Sequence, residues 1–266
     1  MDKLILQAPA KINLGLEILK KKGDGYHDIK TVFCQVSLFD EIEIIENNRE
    51  KIEIYCDDEL VPTDEKNSVF KALKLLGKNG LSVNIKKRIP AKAGLGGGSS
   101  DAGVVLKVYG GGSGLEIGSD VPYAVYGGTK IGEGRGEILS DLPSLAGMDM
   151  VVCVPDVGVD TKWAYENVDY GRIGKGKIEG LIEAVKKQYL FEIAENLHND
   201  FEYWVLPKYP VIRDIKENMI KYGALGSLMT GSGSGVFGIC ENEDKAKGVY
   251  LQMKKMYSKT FLVKVI

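Results

Sequence analysis

Apolar and polar residues alternate along several stretches of the 266-residue chain, and each alternation predicts a half-buried strand. Ile12, Leu14, Leu16 and Ile18 alternate with Lys11, Asn13, Gly15 and Glu17, so a strand there buries the first set and places Lys11 and Asn13 on its other face. The same period predicts strands over 31–39, 42–45, 52–55 and 81–86. A helical spacing of Val69, Phe70, Leu73, Leu75 and Leu76 predicts a helix capped by Asn67 or Ser68. Val104, Val105, Leu106 and Val108 supply a second helix that stops at Tyr109.

Turns are expected at Gly23-Asp24-Gly25, and at 127–129 and 132–136 around a short strand. Beyond them strands at 150–154, 236–240 and 261–266 are interspersed with helices near 161–166, 178–187, 211–222 and 243–256. Residues 171–177 read as a basic surface loop, and 226–235 as a second glycine-serine loop. The order implies an α+β protein with two domains, 1–146 and 147–266. No repeat of 20–50 residues is visible.

The strand over 81–86 runs into a stretch rich in glycine: Pro90, Ala91, Lys92, Ala93, Gly94, Leu95, Gly96, Gly97, Gly98, Ser99 and Ser100. Ser99, Ser100 and Asp101 are expected at the N-cap of the helix that follows. Strand, glycine loop and helix start together make an anion site. Glycines bring backbone N–H groups close to a ligand, and the helix dipole favours negative charge there. A flexible linker is the bland alternative, and the flanking strand and helix weigh against it. The dinucleotide pattern G-x-G-x-x-G fails because position 99 is serine, and the Walker pattern fails because Ser-Ser-Asp follows Gly98.

Composition narrows the class. With 44% hydrophobic and 27% charged residues the chain is an ordinary globular one, and a net charge of −2 offers no broad basic field for nucleic acid or anionic membrane. No stretch has the length of a transmembrane helix, and residues 1–8 do not form a signal peptide. Four separated cysteines without a C-x-x-C, and two histidines, suggest neither a disulfide framework nor a zinc site. A reduced cytoplasmic enzyme, monomeric or weakly dimeric, with a small-molecule substrate is the expectation.

Other candidates stand apart from the loop. A strand lysine such as Lys11 is usually solvated. Asp120 precedes Val-Pro and reads either as a turn or cap residue or as a carboxylate held against a phosphate loop. Tyr26 and His27 could stack on a base and bond its edge, or pack under a hairpin. Thr161, Trp163 and Tyr165 open a helix whose aromatics are more often core.

Three separated motifs, Pro9-Ala-Lys-Ile-Asn-Leu, Pro90 to Ser100 and Leu228-Met-Thr-Gly-Ser-Gly-Ser-Gly-Val-Phe, together resemble the GHMP small-molecule kinases. Gly25-Tyr26-His27 and Gly118-Ser-Asp-Val-Pro resemble the branch whose substrate is 4-diphosphocytidyl-2-C-methyl-D-erythritol, of the non-mevalonate isoprenoid pathway. The resemblance covers nearly the whole chain. It implies an N-terminal domain like domain 2 of ribosomal protein S5 and a ferredoxin-like C-terminal domain. It also implies phosphoryl transfer from ATP to the substrate's 2-hydroxyl, with Mg²⁺ bridging phosphate oxygens.

Carried over by motif, Asp120 matches the base that takes the hydroxyl proton, and Lys11 its cationic partner. Pro90 to Ser100 match the ATP phosphate loop. Tyr26, His27 and Tyr165 match the cytidine pocket, and Asn13 and Thr161 match residues beside the substrate. Two departures stand out. Gly110-Gly-Gly-Ser-Gly114 replaces a longer helical connection and reads as a flexible linker, and Ser234-Gly235 stands where relatives often carry bulkier residues. The alternatives are another GHMP kinase, of the mevalonate or homoserine type, or a non-catalytic nucleotide- or RNA-binding module.

Overall fold

The computed structural model describes residues 3–23, 25–47, 49–174 and 177–266. Asp24 of the expected first turn, and Lys175 and Gly176 of the expected basic loop, lie outside the described residues. The chain folds into two compact units, each assembled from separate segments. One comprises residues 1–11, 38–91 and 96–127, the other 12–37, 92–95 and 128–266.

Two long strands, β1 (Lys3–Lys21) and β2 (His27–Glu46), contribute to both units. In the first unit β3 (Ile52–Cys56) is followed by helix α1 (Ser68–Leu75) and by β4 (Leu81–Lys86), which lies parallel to β3 and antiparallel to β2. The strand order is β3-β4-β2-β1. Helices α2 (Gly97–Val108) and α3 (Val121–Tyr126) complete the unit. Alternation places Ile42, Ile44, Val83 and Ile85 on the face that packs with Val69, Ala72, Leu73, Val105, Leu106 and Val121. Asn67 caps α1, its Oδ1 accepting from the N–H groups of Val69 and Phe70. Leu75 is exposed, and Ala72 takes the inward position.

Two expectations change here. The strands expected at 31–39 and 42–45 are one strand, β2. Asp40, which looks like an interruption in the apolar pattern, is fully buried, and its carboxylate accepts from the N–H groups of Arg88 and Ile89 at 2.6 and 2.8 Å. Helix α2 begins at Gly97 with Gly96 as its N-cap at φ 69°, so Ser99, Ser100 and Asp101 lie inside it and do not cap it.

In the second unit β5 (Lys130–Glu133) pairs with the start of β2 and with β6 (Ile138–Asp141). After β7 (Asp149–Cys153) come α4 (Thr161–Glu166), α5 (Lys177–Lys187) and α6 (Leu190–Glu195). The two-residue β8 (His198–Asn199) then lies parallel to β1, with Gly15 opposite His198. Helices α7 (Glu202–Lys208) and α8 (Pro210–Lys221) precede β9 (Gly226–Met229), β10 (Val236–Ile239), α9 (Glu243–Met256) and β11 (Thr260–Lys264). Four of these strands form an antiparallel sheet in the order β11-β7-β10-β9. With α8 before β9 and α9 before β11, this is the split β-α-β-β-α-β arrangement of a ferredoxin-like domain. The second glycine loop is confined to Thr230–Gly235, because Gly226–Met229 is strand.

Candidate active site

In the first unit Lys11 Nζ lies 3.3 Å from Asp120 Oδ2. Lys11 is 8% exposed, so it is no solvated strand lysine. Asp120 occupies the N-cap position of α3 but its side chain makes no capping hydrogen bond, and Pro122 sits in the first turn of the helix, where a missing N–H costs nothing. Its carboxylate, a third exposed, is therefore aimed at the lysine and open to solvent on its other side. Gly103 permits this approach, since a Cβ added there would lie 2.5 Å from Ala124 Cβ on α3.

The glycine loop is built around the same lysine. A Cβ at Gly96 would sit 2.7 Å from Lys11 Cγ, and φ 69° there suits glycine. A Cβ at Gly97 would press on Ile89 and on Lys87 Nζ at 3.2 Å. No side chain caps α2, so its first N–H groups meet the solvent end of the helix, where an anion is favoured. Ser100 does not face that end; its Oγ donates to the Pro9 carbonyl at 2.6 Å and ties α2 to the strand that carries Lys11.

Beneath the loop lies a group that the sequence reading missed. Lys87 Nζ bonds both Asp40 Oδ2 and Asp101 Oδ2, the latter at 2.7 Å, and all three side chains are at most 6% exposed. Burial opposes the Lys87 charge, but Asp101 and Asp40 outweigh it and hold the ammonium above the usual lysine value. Asp101 lacks the backbone donors that Asp40 enjoys. Its Oδ1 is the one buried side-chain nitrogen or oxygen without a hydrogen-bond partner among the described residues. Burial pushes the Asp101 carboxyl up to about 7, Lys87 pulls the other way, and Asp40 reinforces the rise.

In the second unit the loop's first half, Lys92 to Leu95, is clasped by the second glycine loop. A Cβ at Gly94 would lie 2.2 Å from the Thr230 carbonyl oxygen, and one at Gly235 would lie 2.6 Å from the Ala93 oxygen. Gly235 N–H donates to that same Ala93 oxygen at 3.0 Å. This close approach accounts for a small residue at 235. Thr230 also holds Asn13, whose backbone N–H donates to Thr230 Oγ1 at 3.0 Å while its side chain donates to Thr31 Oγ1 at 2.8 Å. Thr161 Oγ1 pairs with Ser232 Oγ at 2.9 Å.

His27 is nearly buried and stacks on Tyr165, with ring centroids 5.0 Å apart and planes 25° apart. Its Nε2 lies 2.8 Å from the hydroxyl of Tyr170, a residue the sequence reading passed over. Burial, then the Lys21 charge, lowers the His27 pKa, which favours the neutral ring. Tyr26 is half exposed, and the Arg135 guanidinium sits 3.6 Å above its ring centroid. Of the five residues expected beside the substrate, His27 and Tyr165 are thus brought together, Asn13 and Thr161 each bond the Thr230–Gly235 loop, and Tyr26 carries Arg135.

Comparison with known proteins places this geometry in context. The family patterns described as GHMP kinases N terminal domain and GHMP kinases C terminal match residues 67–128 and 181–259. The 4-diphosphocytidyl-2-C-methyl-D-erythritol kinase of Acetivibrio thermocellus is 37% identical over 284 aligned positions that cover 100% of both chains. That of Clostridium novyi is 38% identical, covering 99% of this chain and 100% of its own. A crystal structure of 4-(cytidine 5'-diphospho)-2C-methyl-D-erythritol kinase superposes with a TM-score of 0.82 at 28% identity, covering 98% of this chain and 99% of that one. Homoserine kinase from Cytophaga hutchinsonii shares the fold with a TM-score of 0.75 at 19% identity, covering 100% of this chain and 98% of its own.

Proposed function

The chain belongs to the 4-diphosphocytidyl-2-C-methyl-D-erythritol kinases of the GHMP family, and on that premise we propose that it transfers the γ-phosphoryl of ATP to the 2-hydroxyl of 4-diphosphocytidyl-2-C-methyl-D-erythritol. The observation that carries the chemistry is the Lys11–Asp120 pair at 3.3 Å, with the carboxylate unspent on capping. Asp120 takes the proton of the attacking hydroxyl. The alkoxide oxygen bonds the γ-phosphorus as the bond to the β–γ bridging oxygen breaks, and ADP leaves. Lys11 offsets negative charge beside the transferring group, so catalysis rests on position and electrostatics.

The first N–H groups of α2, behind Gly96, Gly97 and Gly98, hold ATP phosphates, with Pro90 to Ser100 as the surrounding loop. The cradle that a Cβ at Gly96 or Gly97 would fill fits that role. Mg²⁺ bound together with ATP would offset the charge of the phosphates, which the first N–H groups of α2 would hold. Tyr26, His27 and Tyr165 receive the cytosine, with Asn13 and Thr161 nearer the rest of the substrate. We retain 1–146 and 147–266 as the two family domains, supported by the matches at 67–128 and 181–259. Among the described residues no helix is long and apolar enough to cross a membrane; a cytoplasmic location is proposed on the reduced, unpaired cysteines.

The deciding experiment is ADP release from Mg-ATP with 4-diphosphocytidyl-2-C-methyl-D-erythritol, beside mevalonate and homoserine. Turnover with the cytidyl substrate alone is expected. Turnover with a control instead would keep the fold family and discard the substrate.

A further inference from the structure

The second glycine loop reads Thr230-Gly-Ser-Gly-Ser-Gly235, a composition that by itself leaves many backbone conformations open. Gly231 and Gly233 stand at positive φ, 56° and 91°. Thr230 nevertheless makes two contacts that require a fixed place. Its hydroxyl accepts from the Asn13 N–H at 3.0 Å, and its carbonyl oxygen lies 2.2 Å from where a Cβ at Gly94 would be. Backbone bonds close the loop on itself, from the Thr230 N–H to the Gly235 carbonyl at 2.9 Å and from the Gly233 N–H to the Thr230 carbonyl at 3.0 Å. They do not tie that closed turn to the rest of the fold.

One side chain does. Asn199, in β8, is buried, and its Nδ2 donates to the carbonyls of Met229 at 2.7 Å and Gly231 at 2.8 Å. Those two residues flank Thr230. The Asn199 Oδ1 accepts from the Phe201 N–H at 3.0 Å, so both ends of the amide are used. Asparagine suits the position because one short side chain must supply two donors and an acceptor. Its neighbours serve other elements. Asp200 accepts from the Ile18 N–H of β1 at 2.8 Å, and Glu202 accepts from the Met229 N–H at 2.9 Å, at the end of β9 ahead of the loop.

We propose that Asn199 is a positioning residue for phosphoryl transfer: by bonding the carbonyls on both sides of Thr230, it sets that residue against Asn13 and Gly94. Asn199 acts on the reaction through Thr230. The inference rests on the reading of Asn13 as a substrate neighbour and of Gly94 as part of the ATP loop.

Asn199→Asp keeps the shape and the acceptor for Phe201 but sets an oxygen against two carbonyl oxygens. With Mg-ATP and the cytidyl substrate, kcat/KM for that substrate should fall about tenfold to a hundredfold, as for a misplaced contact remote from the chemistry. KM for ATP should rise as well, because Gly94 loses its neighbour. Thr230→Val removes only the hydroxyl that meets Asn13. It should lower kcat/KM for the cytidyl substrate about fivefold to tenfold, as for loss of one neutral hydrogen bond, and leave KM for ATP at its wild-type value. Because Asn199 works through Thr230, the two losses should not multiply, and the double variant should match Asn199→Asp alone.

Urea midpoints taken alongside separate this role from a merely structural one. A lowered midpoint with wild-type kcat/KM in Asn199→Asp would overturn the proposal, and so would losses that multiply in the double variant. Should Asn199→Asp fail to fold, Asn199→Ser, a smaller side chain with one donor, takes its place in the cycle under the same criteria. Wild-type protein inactive on the cytidyl substrate would instead overturn the functional reading beneath the proposal.

Discussion

Lys11 and Asp120 face each other across 3.3 Å, although one lies mid-strand in β1 and the other just ahead of the six-residue helix α3. The Asp120 side chain is not spent on capping α3, which carries Pro122 in its first turn. Asp120→Asn should therefore lower kcat about a hundredfold to ten-thousandfold, the usual worth of general base catalysis, with KM for ATP unchanged. Single-turnover assays test it, and near-normal turnover would remove Asp120 from the base role.

Gly96 reports on the same lysine from the loop side. Gly96→Ala puts a Cβ 2.7 Å from Lys11 Cγ at a left-handed backbone position. The conformation alone should cost about 1–2 kcal/mol, visible in the urea midpoint. Displacing Lys11 should reduce kcat as well. A variant with wild-type stability and rate would show that the loop does not press on the lysine.

The Gly110–Gly114 segment is no loose linker. Gly111 N–H donates to the Leu106 carbonyl at 2.8 Å, and a Cβ at Gly114 would lie 2.4 Å from Leu106 Cδ1 and 2.7 Å from Val121 Cγ1, with φ at 70°. Gly114→Ala should destabilise by about 1–3 kcal/mol through overpacking. Gly112→Ala, with nothing within 4 Å of the added carbon, should be near neutral. Equal urea midpoints for the two variants would restore the flexible-linker reading.

Asp101 makes stability depend on pH in a definite direction. An unfolded aspartate titrates near 3.9, whereas in the fold the carboxyl is pushed up to about 7. Between those values the folded state holds a proton that the unfolded chain has released. The contribution of this group is therefore complete below about pH 4 and lost as pH rises to about 7. Asp101→Asn, which can donate an amide hydrogen toward Asp40 at every pH, should be relatively more stable at pH 8 than at pH 5 when compared with wild type. Urea midpoints that differ by the same amount at both pH values would rule out the raised titration.

Tyr26 offers its ring to the solvent with Arg135 over it. Tyr26→Ala should weaken binding of the cytidyl substrate by about 1–3 kcal/mol if the ring stacks on the base. Equilibrium binding without ATP measures this directly, and an unaltered Kd would exclude the stack.

The local elements were largely legible in the chain, because hydrophobic period and capping are properties of neighbouring residues. The strands β1, β3 and β4 follow from alternation, β7 from an apolar run, and the helices α1, α5 and α8 from helical spacing. The anion site follows from a strand, a run of glycines and a helix in succession. Short elements such as α6, α7 and β8 were not legible, since two to seven residues are too few to establish a period.

By itself the sequence determined which residue types were present for the chemistry: a lysine and an aspartate in motifs, a glycine loop, and a tyrosine–histidine pair. Only the tertiary structure decided which of them meet. Asp40 looks like a strand break until Lys87 and two backbone N–H groups surround it. Asp120 looks like a cap until Lys11 stands opposite. Tyr170 carries no local signal, because its partner His27 lies 143 residues away along the chain. Electrostatics and hydrogen bonding act over a few ångströms of space, so the pairing of charges is decided by the path of the backbone and not by position along it.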